Sequence, residues 1–206
     1  MTDAPLPFSP AAERNRGPIL AELQGLLPAR ARVLEIAAGT GQHAEHVAAH
    51  QPGWDWQPTD ADPGAVAAIR ARTATCSSVR PALPLDVQAW PAAWHGGPYD
   101  AVFCANLLHI SPWAATPALM AGAARVLRPG GVLLVYGPFL QGDGSDAASN
   151  LAFDADLRRR DAAWGVRPLA DVLDQARLAG FAPEPPRTLP ANNLLLVLRQ
   201  GTAAGA

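Results

Sequence analysis

In the run VLEIAAGTGQHAEHV, residues 33–47, a lone carboxylate, Glu35, sits among apolar residues four positions before Gly39. Gly41 completes a Gly-x-Gly, and a helical pattern carrying His43 and His46 follows at once. Glycine has no Cβ, so the backbone can turn sharply there and a ligand can approach it closely. The helix that follows offers unbonded N–H groups and the positive end of its dipole to a carboxylate or phosphate. In open α/β sheets, ligands lie beyond the carboxyl ends of the strands, where the strand order reverses. The arrangement suits a nucleoside-bearing cofactor.

Two cofactor classes compete for that turn. Read literally, GTGQHA (39–44) fits the dinucleotide pattern G-x-G-x-x-G/A, with Asp60 about 20 residues on, where an acid can bind ribose hydroxyls. Three features favour S-adenosylmethionine over NAD(P). Glu35 would repel a pyrophosphate and attract a methionine ammonium. Asp86, in LPLDV, supplies a second acid where it can accept from an adenine amino group. The run VLRPGGVLLVYGPF places a Pro-Gly-Gly turn between a helix and a fifth strand.

Other residues are candidates by type and place. His43 falls in the first helical turn, within reach of a cofactor carboxylate. His43, His46 and His50 share a helix face, but no cysteine or acid is placed to complete a zinc shell, so no metal is expected. Arg14 and Asn15 form a polar pair beside an otherwise apolar first helix and are candidates to close over the site. Asn192 and Asn193 precede the last strand, where Asn is disfavoured, which makes them candidate ligand donors.

The elements that must position these residues follow from patterning. Ser9 and Pro10 open a first helix over about 9–27, which Gly17-Pro18 threatens to break. RVLEIA is a buried strand, and 41–50 a helix. WDWQPT is a second strand ended by Asp60; Pro63 starts a helix through Ile69, with Asp62 the better N-cap. PALPLDV is a poor third strand and YDAVFCANLL a fourth. A helix over ALMAGAARVL precedes the RPGG turn and the strand VLLVYGPF. Leu140–Ser149 is a loop or lid, and NLAFDADLRRRDAAWG starts with Asn150 as an N-cap. The helix LADVLDQARLAGF and the strands APEPPRTL and NNLLLVLR complete the chain. Strands alternating with helices predict a parallel sheet with right-handed crossovers. The gap of about five residues between the last two strands is too short for a crossover, so one should be antiparallel.

The bulk properties exclude several classes. The 206 residues suit one α/β domain. With 49% hydrophobic and 17% charged residues the chain is globular, not disordered. A net charge of −2 without a basic run gives no grip on nucleic acid or an anionic membrane. Every basic residue among the Lys+Arg total is Arg, which together with abundant Ala, Pro and Gly reads as compositional bias. Cys76 and Cys104 have no metal or redox spacing, the N-terminal residues have no apolar signal core, and no apolar run reaches membrane length. A reducing cytoplasm is expected.

VLEIAAGTG, PTDADPGAVAAI, LDV, YDAVFCANLLHI and VLRPGG together resemble the successive motifs of class I S-adenosylmethionine-dependent methyltransferases. SPAAERN, EIAAGTGQHAEH, WQPTDAD, NLLHISPW, YGPF, SNLAFDADLRRRDAAWG and LPANNLLLVLR further resemble a family of small methyltransferase-like proteins of unknown function. The resemblance implies a doubly wound, Rossmann-like seven-stranded sheet, mostly parallel with an antiparallel final strand. It implies one domain over 1–206 with a lid or substrate insert at about 138–165. It places Glu35, Gly39, Gly41, His43, Asp60, Asp86, the Val87 N–H and Asn106 with the cofactor. Asn106 and His109 end the fourth strand, whose carboxyl end faces the transferred methyl, so His109 is the candidate general base, and Tyr136 at the end of the fifth strand is a candidate to orient the substrate. Acceptor contacts are expected from Arg14, Asn15, Asn150, Phe153, Trp164, Asn192 and Asn193. Ala37 departs from the class pattern, where Gly is usual, and is tolerable if its φ is negative. Pro168 stands where the family suggests an acid, which puts the next helix start in question. The expected function is methyl transfer from S-adenosylmethionine to a small molecule. A non-catalytic S-adenosylmethionine-binding protein and an NAD(P) oxidoreductase are the alternatives, and the oligomeric state is open.

Overall fold

Ser9 and Pro10 do start the first helix. In the computed structural model, which describes residues 5–89, 94 and 96–201, α1 runs Pro10–Leu26, and the Ser9 hydroxyl accepts from the Ala12 N–H at 3.2 Å. Gly17-Pro18, which threatened to break the helix, does not. The helix continues through Pro18, which lacks the N–H that would reach back one turn. Ile19, Leu20 and Leu23 are buried, and burial of such side chains, worth about 1.5–3 kcal/mol each, outweighs one missing bond.

The chain forms two compact units, Met1–Asp86 and Val87–Ala206. In the first, β1 (Ala31–Ile36), α2 (Gln42–His50), β2 (Trp54–Asp60), α3 (Pro63–Arg72) and β3 (Leu83–Pro84) follow α1. β1 pairs in parallel with β2, and β2 with β3. β3 is only two residues long, as the proline-rich PALPLDV led one to expect, because proline cannot donate to a ladder. The Asp62 carboxylate caps α3, accepting from the Gly64 and Ala65 N–H groups at 3.2 and 3.1 Å.

The second unit contains β4 (Tyr99–Ala105), a 3₁₀ turn (Leu108–Ile110), α4 (Ala115–Val126), β5 (Leu127–Leu140), α5 (Ala148–Arg160), β6 (Arg167–Pro168) and α6 (Leu169–Leu178). Three strands close it: β7 (Phe181–Pro183), β8 (Arg187–Leu189) and β9 (Asn193–Gln200). β5 pairs in parallel with β4 and β6. β9 runs antiparallel to β5, β7 and β8, as the short final connection required. The fold is α/β and mostly parallel, with antiparallel strands near the end.

Four details differ from expectation. RPGG is not a turn between elements. It loops out within β5, where Tyr99 pairs with Leu127 and Ala101 with Val132, and Gly130 takes φ 75°. APEPPRTL splits into β7 and β8, with Pro185 and Pro186 in the gap, where neither can donate. Asn150 is not an N-cap: α5 starts at Ala148 and Asn150 is inside it. Pro168 does not prevent α6, which starts at Leu169 without a side-chain cap.

Candidate functional site

Parallel pairing aligns Glu35 of β1 with Pro58 of β2 and Val33 with Trp56. Residues two apart on a strand share a face, so Trp56 reaches Glu35 diagonally. Its Nε1–H donates to Glu35 Oε2 at 2.6 Å. Glu35 is 1% exposed, and no guanidinium pairs with it among the described residues. Burial pushes its carboxyl up to about 8; the Trp56 bond partly opposes this and the Asp60 charge adds to it. His43 Nδ1 lies 3.9 Å from Glu35 Oε1. Burial pushes His43 down to about 4, and His46 and Arg16 add to the effect. At neutral pH the Glu35–His43 contact is therefore between uncharged groups, not an ion pair.

The glycine turn beside them takes the left-handed conformation that glycine adopts without strain. Gly39 has φ 58° and Gly41 φ 75°, and Gly41 stands at the N-cap of α2. Beyond its own chain neighbours, no atom of the described residues lies within 4 Å of where a Gly39 Cβ would be, whereas one at Gly41 would meet Ile69 at 3.2 Å. Gly39 faces open space; Gly41 is held by packing. Ala37 has φ 55°, so the negative φ that would excuse its methyl group is not adopted. Asp60 clamps the turn, its Oδ2 accepting from the Gly39 N–H at 2.8 Å and its Oδ1 from the Asp62 N–H at 3.0 Å.

α1 reaches this turn through Asn15 and Gln42. Asn15 Oδ1 lies 2.8 Å from His43 Nε2. Gln42 Oε1 accepts from the Ser9 N–H at 2.7 Å and the Thr40 hydroxyl at 2.9 Å, while its Nε2 donates to Glu13 at 3.0 Å. Arg14 is exposed. Gln42 and Trp56 were missed by sequence reasoning. The β1–β2 register would have revealed Trp56; no local signal marks Gln42.

In the second unit, Asn106 follows β4 in the left-handed region, φ 58°, and its N–H donates to the Tyr136 carbonyl at 2.9 Å. His109 is not on the strand end but on the 3₁₀ turn. A Cβ at Gly137 would lie 3.6 Å from His109 Nδ1 and 3.8 Å from Asn106 Oδ1, so β5 passes close to this polar pair. Burial, then the Arg167 charge, pushes His109 down to about 4. The Phe153 ring stands edge-on to it at 5.5 Å and is 37% exposed. Arg167, unforeseen from sequence, is buried and donates to the carbonyls of Leu108, Ser111 and Ala163 at 2.9, 2.5 and 2.9 Å. It ties down both ends of the turn that carries His109. The Tyr136 side chain is buried.

The remaining candidates mostly hold structure. Asn150 is buried and donates to the Asn192 carbonyl at 3.0 Å; the Asn192 amide donates to Ser149 Oγ at 3.0 Å. Asn193 donates to the carbonyls of Pro190 and Ala191. Ala191 and Asn192, at φ 61° and 57°, make the tight turn between β8 and β9, and Asn tolerates that region. Trp164 is half-buried, with the Arg160 guanidinium 5.3 Å over its ring. Asp86 is exposed and Val87 buried. No group of three or more metal-ligating side chains occurs among the described residues, and none of their helices is long and apolar enough to cross a membrane.

The family model described as "Protein of unknown function (DUF938)" matches residues 6–200. The chain belongs to the DUF938 family. Among solved structures, it is similar to an O-methyltransferase family protein from Burkholderia thailandensis, with a TM-score of 0.78 and 21% identity, covering 94% of this chain and 58% of that one. Human N-acetylserotonin methyltransferase, solved in complex with S-adenosylmethionine, gives 0.76 and 18%, covering 93% and 53%. A methyltransferase-like protein from Bacillus halodurans gives 0.70 and 18%, covering 89% and 99%. The DUF938 chain thus spans little more than half the length of the first two. Its fold is that of class I S-adenosylmethionine-dependent methyltransferases, doubly wound and Rossmann-like.

Proposed function

We propose that this DUF938 protein transfers a methyl group from S-adenosylmethionine to a small-molecule acceptor. The observation that carries the reading is Glu35: a buried carboxyl with no guanidinium partner, beside a glycine turn whose outer face is open. Held by the Trp56 bond, Glu35 stays protonated at neutral pH rather than carry a buried charge, and a ligand ammonium would favour its ionised form. A pyrophosphate at the same place would meet a carboxyl, so the NAD(P) reading is disfavoured by the same residue.

S-adenosylmethionine, when bound, supplies a methyl group on a sulfonium that is already a good leaving group. The protein then contributes mainly alignment and exclusion of water. Glu35 takes the ammonium. The Gly39–Gly41 turn and the N-terminal end of α2 take the carboxylate. Asp60, already ordered by the Gly39 and Asp62 N–H groups, has further acceptor capacity for ribose hydroxyls, and Asp86 serves the adenine amino group. On the acceptor side, His109 is the candidate to receive a proton where the acceptor is an amine, but burial and the Arg167 charge push it down to about 4, which makes it a weak base at neutral pH. A thiol, phenol or acid needs little beyond its own ionisation.

Calorimetry with S-adenosylmethionine and S-adenosylhomocysteine tests the cofactor assignment; failure to bind at millimolar concentration overturns it. A screen for methyl release over metabolite pools then tests catalysis. Binding without turnover on any pool would instead identify a non-catalytic S-adenosylmethionine-binding protein.

A further inference from the structure

Resting on the cofactor reading, we propose that Asn15 of α1 is a positioning residue that fixes the His43 tautomer and thereby reserves Glu35 for the ammonium of the ligand. The side-chain oxygen of Asn15 can only accept. Its 2.8 Å contact with His43 Nε2 therefore requires the proton on Nε2. A neutral imidazole carries a single N–H, so the nitrogen turned toward Glu35 is the lone-pair nitrogen Nδ1, 3.9 Å from Oε1. In this tautomer His43 cannot donate to Glu35. With the proton on Nδ1, His43 would offer the ionised carboxylate a donor that competes with any incoming cation, whereas a lone pair on Nδ1 can only accept, and only from the protonated carboxyl.

The surroundings hold the arrangement. Asn15 and His43 are each 8% exposed and Glu35 1%, so water is a poor substitute for the Asn15 contact. Charged and titratable groups around the pair include Arg16 on α1, His46 on α2 and Asp60 on β2, with Glu13 acting on His46. α1 is itself held to the turn by the Ser9–Gln42 and Gln42–Glu13 bonds, which keep Asn15 over His43. The first helix is on this account a working part of the ligand site.

Nitrogen-15 NMR of His43, assigned by the signal lost in His43→Gln, reads the tautomer directly in the ligand-free wild-type protein. The Nε2–H form is expected; finding Nδ1–H overturns the proposal without any variant. Asn15→Asp places a carboxylate against Nε2. It favours the imidazolium, whose Nδ1–H then donates to Glu35. S-adenosylhomocysteine, which keeps the amino acid end, should bind Asn15→Asp at least about tenfold more weakly. Methylthioadenosine, which lacks that end, should bind both proteins equally. Equal weakening of both probes would mean a structural role only and would overturn the proposal, as would no weakening of either. Wild-type protein that binds methylthioadenosine but gains nothing from the amino acid end overturns it too. If wild type binds none of these compounds, the cofactor reading itself fails, whatever tautomer NMR finds.

Discussion

Glu35 ties the local chemistry to pH. Its carboxyl is pushed up to about 8 when the site is empty, yet it must be ionised to pair with an ammonium. Affinity for S-adenosylhomocysteine should therefore rise with pH, by up to about tenfold per unit below 8, and level off above it. Isothermal titration at pH 6, 7 and 8 reads this, and Glu35→Gln should flatten the profile. Above the carboxyl's own range, the loss in Glu35→Gln should approach about 1.5–3 kcal/mol, the scale of a charged hydrogen bond. The ligand-free protein shows the reverse dependence. A raised carboxyl stabilises the fold fully below its unfolded value and loses that contribution as pH climbs through about 8. Glu35→Gln should therefore gain on wild type in thermal scans between about pH 4.5 and 8. Ala37 is a separate case. At φ 55° its Cβ costs about 1–2 kcal/mol, while glycine returns about 0.4–1 kcal/mol of unfolded-state entropy. Ala37→Gly should stabilise by up to about 1.6 kcal/mol, the difference of those two terms, read as a raised urea midpoint at unchanged slope. At this scale sequence singled out the acid, the glycines and Asp60 as candidates, because their types are rare in such a place, and the structure gathers them at one turn. Sequence did not show Trp56, Gln42 or Arg167, whose roles depend on strand register and on carbonyls far along the chain.

Elements were legible where pattern and length agreed. β1, the glycine turn and α2 fell where the apolar run and the glycines put them, and the short final connection correctly required an antiparallel strand. Local signals were weakest where packing overrides them. The helix expected over about 9–27 formed despite Pro18, because a buried face on the same helix outweighs one lost bond. Asn150 looked like a cap but donates its amide to the Asn192 carbonyl instead. Gly122 in α4 carries a testable conflict of the same kind. Alanine is about 1 kcal/mol better than glycine inside a helix, so propensity alone favours Gly122→Ala. The added Cβ, however, would sit 2.0 Å from the buried Trp94 ring. Moving a buried indole costs about 1–3 kcal/mol of overpacking, and an overlap this deep lies toward the upper end. Gly122→Ala should therefore destabilise by about 1–2 kcal/mol in urea unfolding. A more stable variant would show that the helix–Trp94 contact does not constrain this position.

For the molecule as a whole, the decisive quantity is how strongly a ligand favours the folded chain over the unfolded one. A compound at 100 times its Kd adds about 2.7 kcal/mol to folding stability. For a chain of 206 residues, each kcal/mol moves Tm by about 2–4 °C, so S-adenosylhomocysteine at that excess should raise Tm by about 5–11 °C. pH supplies the control. At one fixed ligand concentration the shift should be larger at pH 8 than at pH 6, because only the ionised carboxyl of Glu35 pairs with the ammonium and ionisation is uphill at the lower pH. Glu35→Gln should give a smaller shift that is the same at both values. A dinucleotide should behave differently. With an acid beside the turn, NADH should produce little shift at pH 6 and less at pH 8, since ionised Glu35 repels its phosphates. A large NADH shift that shrinks from pH 6 to pH 8, with none from S-adenosylhomocysteine, would mean that the site reads phosphate rather than an amino acid. The sign of the pH effect thus separates the two ligand classes even where both compounds bind weakly.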